Sequence, residues 1–153
     1  MSRATSDEHY VIDLCDHILG RKARRQHRFP FLVGDPRRDG RPGARLPVDA
    51  YYDDLGLVIE FMERQHSLSV RFFDNPHRLT VSGVHRGEQR RRYDERRGQV
   101  LPAHGLTLIA LDASLFRRSG GRRKRLLRDR LHDERVLRQE LAAFLSKSPA
   151  RQA

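Results

Sequence analysis

LPVDAYYDDLGLVIEFMERQH, residues 46–66, contains two apolar runs separated by the turn sequence DDLG at 53–56. A short polar turn that ends in glycine between two apolar runs predicts an antiparallel β-hairpin. A single carboxylate interrupts each run, Asp49 in the first and Glu60 in the second. In the right register the two side chains lie together on adjacent strands, and Glu60 is semi-buried because LVIEFM has no clear solvent face.

Capping residues and apolar spacing predict the other elements around this hairpin. In chain order they are a helix capped by Ser6 and ended by Gly20, a strand in FPFLVGD (29–35) after the basic run RKARRQHR (21–28), a partly ordered loop over 67–84, a helix over about 85–103, a short buried strand in LTLIAL (106–111), and a third helix from SGG (119–121) to about 145.

This order predicts an α/β protein with an αβββαβ core and an extra C-terminal helix. The last strand of the core is reached through a helix and can lie parallel to an earlier one, so the sheet is expected to be mixed. We expect a domain over 1–118, a basic C-terminal helix over 119–146 packed on it, and a disordered tail over 147–153.

The charge of the chain predicts a polyanionic partner. Its 153 residues carry a formal net charge of +11, with 31 basic and 20 acidic residues. Three of the basic residues are lysine, which leaves 28 arginines, and the planar guanidinium matches phosphate oxygens bidentately. A GC-rich genome that encodes arginine in place of lysine is an equally good explanation of that ratio.

Cysteine usage and hydropathy exclude several classes of protein. Cys15 is the only cysteine, so the chain has neither an internal disulfide framework nor a thiolate zinc site. No apolar run reaches the roughly 18 residues that span a bilayer. These features predict a soluble cytoplasmic protein that does not enter the membrane.

Asp49 and Glu60 are candidate ligands of one cation. Two neighbouring carboxylates repel each other, and a hard divalent cation such as Mg²⁺ relieves the repulsion because it prefers oxygen ligands. The same residues permit a second interpretation, in which Asp49 lies at an exposed sheet edge and Glu60 pairs with one of the many arginines. The spacing alone leaves both open.

Four motifs in residues 25–105 and just before them resemble one branch of the PD-(D/E)XK nuclease superfamily, the branch related to very-short-patch-repair endonucleases. The motifs are Arg24-Arg25-Gln26, VDAYY (48–52), LVIEFMERQH (57–66) and YDERRGQVLPAHG (93–105), the last of which matches at Asp94, Arg97, Leu101 and Gly105. The resemblance covers more than half of the chain.

The resemblance implies a restriction-endonuclease-like core and a Mg²⁺-dependent or Mn²⁺-dependent endonuclease that hydrolyses phosphodiester bonds in DNA. Asp49 and Glu60 would be its metal ligands. His66 would be the general base or would position the water, since imidazole titrates near neutral pH. Gln65 would orient the water or replace a missing ligand, which gives four catalytic candidates.

Two positions depart from the pattern of this branch. Met62 stands where the superfamily usually has lysine and the branch often has aspartate, and Glu63 stands where the branch usually has glycine. Glu63 is a third candidate metal ligand if the strand bulges or ends before it. If Glu63 is not a ligand, the enzyme is weakened or inactive. The main alternative is then a catalytically inactive nucleic-acid-binding or protein-interaction module on the same fold.

The expected nucleic-acid contacts lie in three basic segments, because clustered arginine supplies sequence-independent affinity for phosphate. Gln26 is a candidate for contacting the nucleic acid or, alternatively, for bracing the site. DNA is the expected partner, and a homodimer or a protein partner is left open. The candidate nucleic-acid-binding residues are Arg25 and Gln26 before the first strand, Arg86, Arg90, Arg91 and Arg97 in the second helix, and Arg123 in GRRKRLLRDR (121–130).

Overall fold

The first helix, α1 (Asp7–Leu19), has the ends that its sequence predicts. The Ser6 side chain accepts a hydrogen bond from the backbone N–H of His9, and Gly20 ends the helix in the left-handed conformation at φ 64°. Glycine adopts this conformation without a Cβ clash. These details come from a computed structural model, which describes residues 6–63, 85–121 and 125–147.

In the described residues, four strands form one mixed sheet in the order β1-β2-β3-β4, with β1 at Arg24–Val33, β2 at Arg45–Tyr52, β3 at Leu57–Met62 and β4 at Thr107–Asp112. The pairs β1–β2 and β2–β3 are antiparallel, whereas the pair β3–β4 is parallel. Helix α2 (Arg86–Ala103) lies in the connection between β3 and β4, as a parallel pair requires. The predicted α/β class and mixed sheet are confirmed.

Helices cover both faces of this sheet. On one face, α2 packs its buried Leu101 against Val48 of β2 and Val58 of β3. On the other face, α1 shares a larger cluster with the C-terminal helix α3 (Arg130–Ser146), which contributes Leu137 and Leu141. The extra helix therefore packs on the α1 side of the sheet, away from α2.

The structure differs from the prediction in the first residue of β1, the first residue of α3 and the extent to which β4 is buried. β1 begins at Arg24, inside the basic run. α3 begins at Arg130 because the Asp129 side chain caps it by accepting the N–H of His132, and Arg128 before it has a left-handed φ of 57°. β4 is less buried than predicted: Leu111 is fully buried but Ala110 is exposed, because β4 is the last strand in the sheet order.

Some predictions fall outside the described residues. They concern the loop over 67–84, the tail beyond Lys147, and the side chains of Gln65, His66 and Arg123. Within the stretches that the structure describes, no helix has the length and apolar composition needed to cross a membrane.

Candidate functional site

Asp49 and Glu60 lie where β2 and β3 separate. The antiparallel ladder runs from Tyr52 paired with Leu57 to Ala50 paired with Ile59. The next step of that register brings Asp49 opposite Glu60, and from there β2 continues beside β1. The Asp49 carboxylate accepts a 2.8 Å hydrogen bond from the backbone N–H of Phe61, which fixes it at this opening. The structure thus brings together the two carboxylates that the sequence predicted to be neighbours.

Glu60 is a buried acid in an unfavourable environment. It is 9% exposed, and among the described residues its Oε1 atom has no hydrogen-bond partner. Burial raises the pKa of Glu60 from its ordinary 4.5 to about 9, and the adjacent charge and hydrogen bond of Asp49 add to the rise. A buried carboxyl in this position is stabilised by a proton or by a cation.

Arg97 provides part of the alternative explanation for Glu60. Its Nε atom lies 3.6 Å from Glu60 Oε1, within ion-pair range but too far for a hydrogen bond. Its hydrogen bonds go to the Pro47 carbonyl oxygen, at 3.2 and 3.0 Å, and to Asp94 Oδ1 at 3.0 Å. Arg97 therefore ties α2 to β2 beside the site, and its predicted contact with nucleic acid stays a prediction.

Glu8 is a third carboxylate at the site, and the sequence did not single it out. It lies in the first turn of α1, where acidic residues are common because they favour the helix dipole. Partial burial raises the pKa of Glu8 from 4.5 to about 7, with a further rise from the charge of Asp49. Only the packing of α1 on the sheet reveals this proximity.

Glu63 lies on the Glu8 side of the site. β3 ends at Met62, so Glu63 follows the strand end that its predicted shift would need. Together with Glu8 and Phe61 it lines a groove of about 340 Å³, and its charge contributes to the raised pKa of Glu8. By strand alternation, Met62 instead shares the face of Glu60. A role for Glu63 as a metal ligand stays a prediction.

The two predicted contacts on β1 have different surroundings. Arg25 is 18% exposed at its side chain and donates hydrogen bonds to Asp13 at 2.6 Å and Asp16 at 2.9 Å, both on α1. Gln26 is exposed, and its Nε2 atom lies 2.8 Å from Glu8 Oε1 and 3.5 Å from Asp49 Oδ1. Gln26 therefore lies between Glu8 and Asp49, and both of its predicted roles, contact with nucleic acid and bracing of the site, stay predictions.

The remaining predicted contacts that the structure describes are on α2. Arg86, Arg90 and Arg91 are exposed to solvent. Burial raises the pKa of Asp94, and the nearby charges of Arg97 and Arg90 oppose part of this rise, so this part of α2 borders the site. These three side chains are accessible to an anionic partner.

The carboxylate oxygens at the site suit a magnesium ion that is bound by few protein ligands. Within the described parts of the chain, no group of three or more His, Cys, Asp or Glu side chains is arranged to hold a metal ion. Mg²⁺, however, keeps several waters and is often bound through one or two carboxylates. The adjacent oxygens of Asp49 and Glu60 fit that mode, since the buried Glu60 Oε1 has no hydrogen-bond partner among the residues that the structure describes.

Comparison of the chain with protein-family models, curated proteins and solved structures finds no match.

Proposed function

We propose that this protein is a Mg²⁺-dependent or Mn²⁺-dependent endonuclease that hydrolyses phosphodiester bonds in DNA, with Asp49 and Glu60 as its metal ligands. The observation that carries the proposal is the pair of adjacent carboxylates at the opening between β2 and β3. One of them is buried and has an oxygen without a hydrogen-bond partner in the described part of the chain. The four nuclease-like motifs of the sequence support it.

A divalent cation held by this pair would activate water and neutralise charge at the scissile phosphate. Neighbouring residues hold the carboxylates of Asp49 and Glu60 in place in the folded protein. The backbone N–H of Phe61 orients the Asp49 carboxylate, and β3 holds Glu60 in a buried position beside it. Glu8 adds negative charge from α1, and by the family resemblance His66 and Gln65 would act on the attacking water.

The net charge of +11 and the exposed arginines of α2 support a nucleic acid as the substrate. Exposed arginines attract the phosphate backbone of any sequence, so they supply affinity without base specificity. DNA is the proposed substrate, and the cytoplasm is the proposed location.

A second candidate is a catalytically inactive module that binds nucleic acid or a protein through the same fold. Met62 favours this second candidate. It lies on β3 two residues after Glu60, at the position where nucleases of this superfamily usually have a lysine. A thioether neither binds Mg²⁺ nor stabilises developing negative charge. Fold alone does not decide between the two.

A plasmid-cleavage assay tests the proposal. Purified protein is incubated with supercoiled DNA in Mg²⁺, in Mn²⁺ and in chelator, beside the Glu60→Gln variant as the matched control. We expect metal-dependent nicking or linearisation by the wild type only. DNA binding without cleavage in either metal would favour the inactive module, and equal cleavage by the variant would indicate a contaminating nuclease.

A further inference from the structure

We infer that Gln26 is a positioning residue of the proposed metal site, whose side-chain amide holds the carboxylates of Glu8 on α1 and Asp49 on β2 side by side. This inference rests on the proposed function, because it assigns the arrangement to metal binding. Gln26 contacts one proposed ligand, Asp49, and its neighbour Glu8, and it does not contact the reacting atoms.

The backbone of Gln26 has an unusual conformation at the site. Its φ is 52°, in the left-handed region, and among the described residues only Arg128 shares this feature without being glycine. Residues other than glycine adopt this conformation rarely, and when the surrounding structure enforces it the position is often functional. The conformation of Gln26 therefore calls for a specific explanation.

The conformation coincides with a change of face in β1. Arg25 and His27 would share a face in a regular strand. Instead, Arg25 donates a hydrogen bond to Asp16 of α1. The ring of His27 packs against that of Tyr51 on the α2 side of the sheet, with 5.0 Å between the ring centroids. The side chains of β1 thus change from one face of the sheet to the other at Gln26.

The neighbouring strand changes face at the same point. Val48 of β2 belongs to the cluster on the α2 side, whereas Ala50 belongs to the cluster on the α1 side. The register pairs Arg25 with Ala50 and His27 with Val48, so Gln26 lies opposite Asp49 at the centre of the change. Both strands therefore break their alternation where the site is built.

The contacts of the Gln26 side chain explain what this arrangement achieves. Its amide nitrogen carries two hydrogens and lies 2.8 Å from Glu8 Oε1 and 3.5 Å from Asp49 Oδ1. Two carboxylates repel, and a donor between them offsets that repulsion. Because the amide is neutral, it orders the oxygens without competing with a cation as a lysine or arginine would.

The test compares Mn²⁺ affinity with stability in the DNA-free full-length protein. Gln26→Gly loses the amide that offsets the repulsion between the carboxylates, but glycine suits the left-handed backbone. The two effects oppose each other, so we expect a thermal stability without metal close to that of the wild type. Mn²⁺ affinity, measured by electron paramagnetic resonance, should fall about 10-fold, as is common when a residue that orients a ligand is lost. Gln26→Asn keeps an amide and tolerates the same backbone, so it should recover part of the affinity.

Arg24→Gly is the matched control, since it changes the same strand at an exposed residue whose ion pair is with Asp53. We expect it to lower stability without lowering Mn²⁺ affinity. A Gln26→Gly protein that binds Mn²⁺ like the wild type, or whose affinity falls only in step with its stability, would overturn the inference and leave the proposed function intact. A wild type that binds no Mn²⁺ would overturn both.

Discussion

Asp49 accepts a 2.8 Å hydrogen bond from the backbone N–H of Phe61, across the point where the ladder between β2 and β3 ends. This bond connects the two strands by a side chain after their last backbone pair. It also holds the Asp49 carboxylate against that of Glu60, the residue before Phe61. Two acids that would repel in water are thus kept in contact by the fold, and the contact has measurable consequences.

The first prediction concerns the stability of this pair. Glu60→Gln should stabilise the metal-free protein near pH 8, by about 1–3 kcal/mol, because folding requires the wild type to protonate Glu60, whose pKa rises to about 9, or to bury its charge, and the amide requires neither. Asp49→Asn should stabilise it in the same direction, because it removes a charge that adds to the raised pKa of Glu60. Both should abolish the rise in melting temperature that Mg²⁺ or Mn²⁺ gives the wild type. Calorimetry with and without metal measures both effects.

An ion pair between Glu60 and Arg97 predicts the opposite result for Glu60→Gln, since removing one partner leaves the other charge buried. If the variants are less stable than the wild type, and the melting temperature of the wild type does not change with metal, the proposed metal site is wrong. Glu88→Gln on the surface of α2 is the control, because that glutamate pairs with Arg92 away from the site.

The second prediction is a decline in metal-free stability as pH rises. Folding raises the pKa of Glu60 to about 9 and that of Glu8 to about 7, each from 4.5. Between pH 4.5 and the raised pKa of each group, the folded protein binds more protons than the unfolded chain. The free energy of unfolding therefore falls as the pH rises through this range. One such proton contributes up to about 1.4 kcal/mol per pH unit.

Urea denaturation at several pH values between about 5 and 8.5 measures this decline, and the wild type is compared with Glu60→Gln so that other titrating groups cancel. The variant should show a flatter profile. Added Mg²⁺ should stabilise the wild type more at the alkaline end, where ligands lose their protons more readily. Parallel profiles for the two proteins would contradict the raised pKa of Glu60.

The third prediction concerns Met62. Met62→Lys should increase DNA cleavage if the wild type is a weakened nuclease, because a lysine there would place a cation beside the scissile phosphate. Met62 is partly buried at the end of β3, in register with Asp112 of β4. Single-turnover cleavage by the two proteins measures the gain, with Met62→Gln as a polar variant without charge. A folded lysine variant as inactive as its wild type would favour the binding module.

The fourth prediction concerns salt. The affinity for duplex DNA should fall steeply as salt rises, and Arg90→Ala or Arg91→Ala should each lower the slope of log K against log salt by about 0.9 if that side chain contacts one phosphate. Arg135→Ala, an exposed arginine on α3 across the sheet from α2, should leave the slope unchanged. Titration by fluorescence anisotropy at several salt concentrations measures the slopes. An affinity indifferent to salt would contradict DNA binding through these arginines.

Local signals in the sequence determined much of the architecture. The ends of α1 followed from Ser6 and Gly20, because caps act within one turn of the helix. The hairpin that contains Asp49 and Glu60 followed from a short turn between two apolar runs, and a short turn leaves few registers. The proximity of the two carboxylates could therefore be predicted from their spacing.

The tertiary structure decided which other side chains join that pair. Glu8 reaches the site only because α1 packs on the same sheet, and no spacing along the chain encodes a contact with Asp49 over such a separation. Gln26 faces Glu8 because β1 and β2 change face together, which depends on the packing of both sheet faces. Arg97 lies 3.6 Å from Glu60 because α2 packs on the face of the sheet that contains Val58 of β3. Short-range propensities fix elements and turns, whereas contacts between distant elements are selected by the burial of whole faces, and that selection is absent from local sequence.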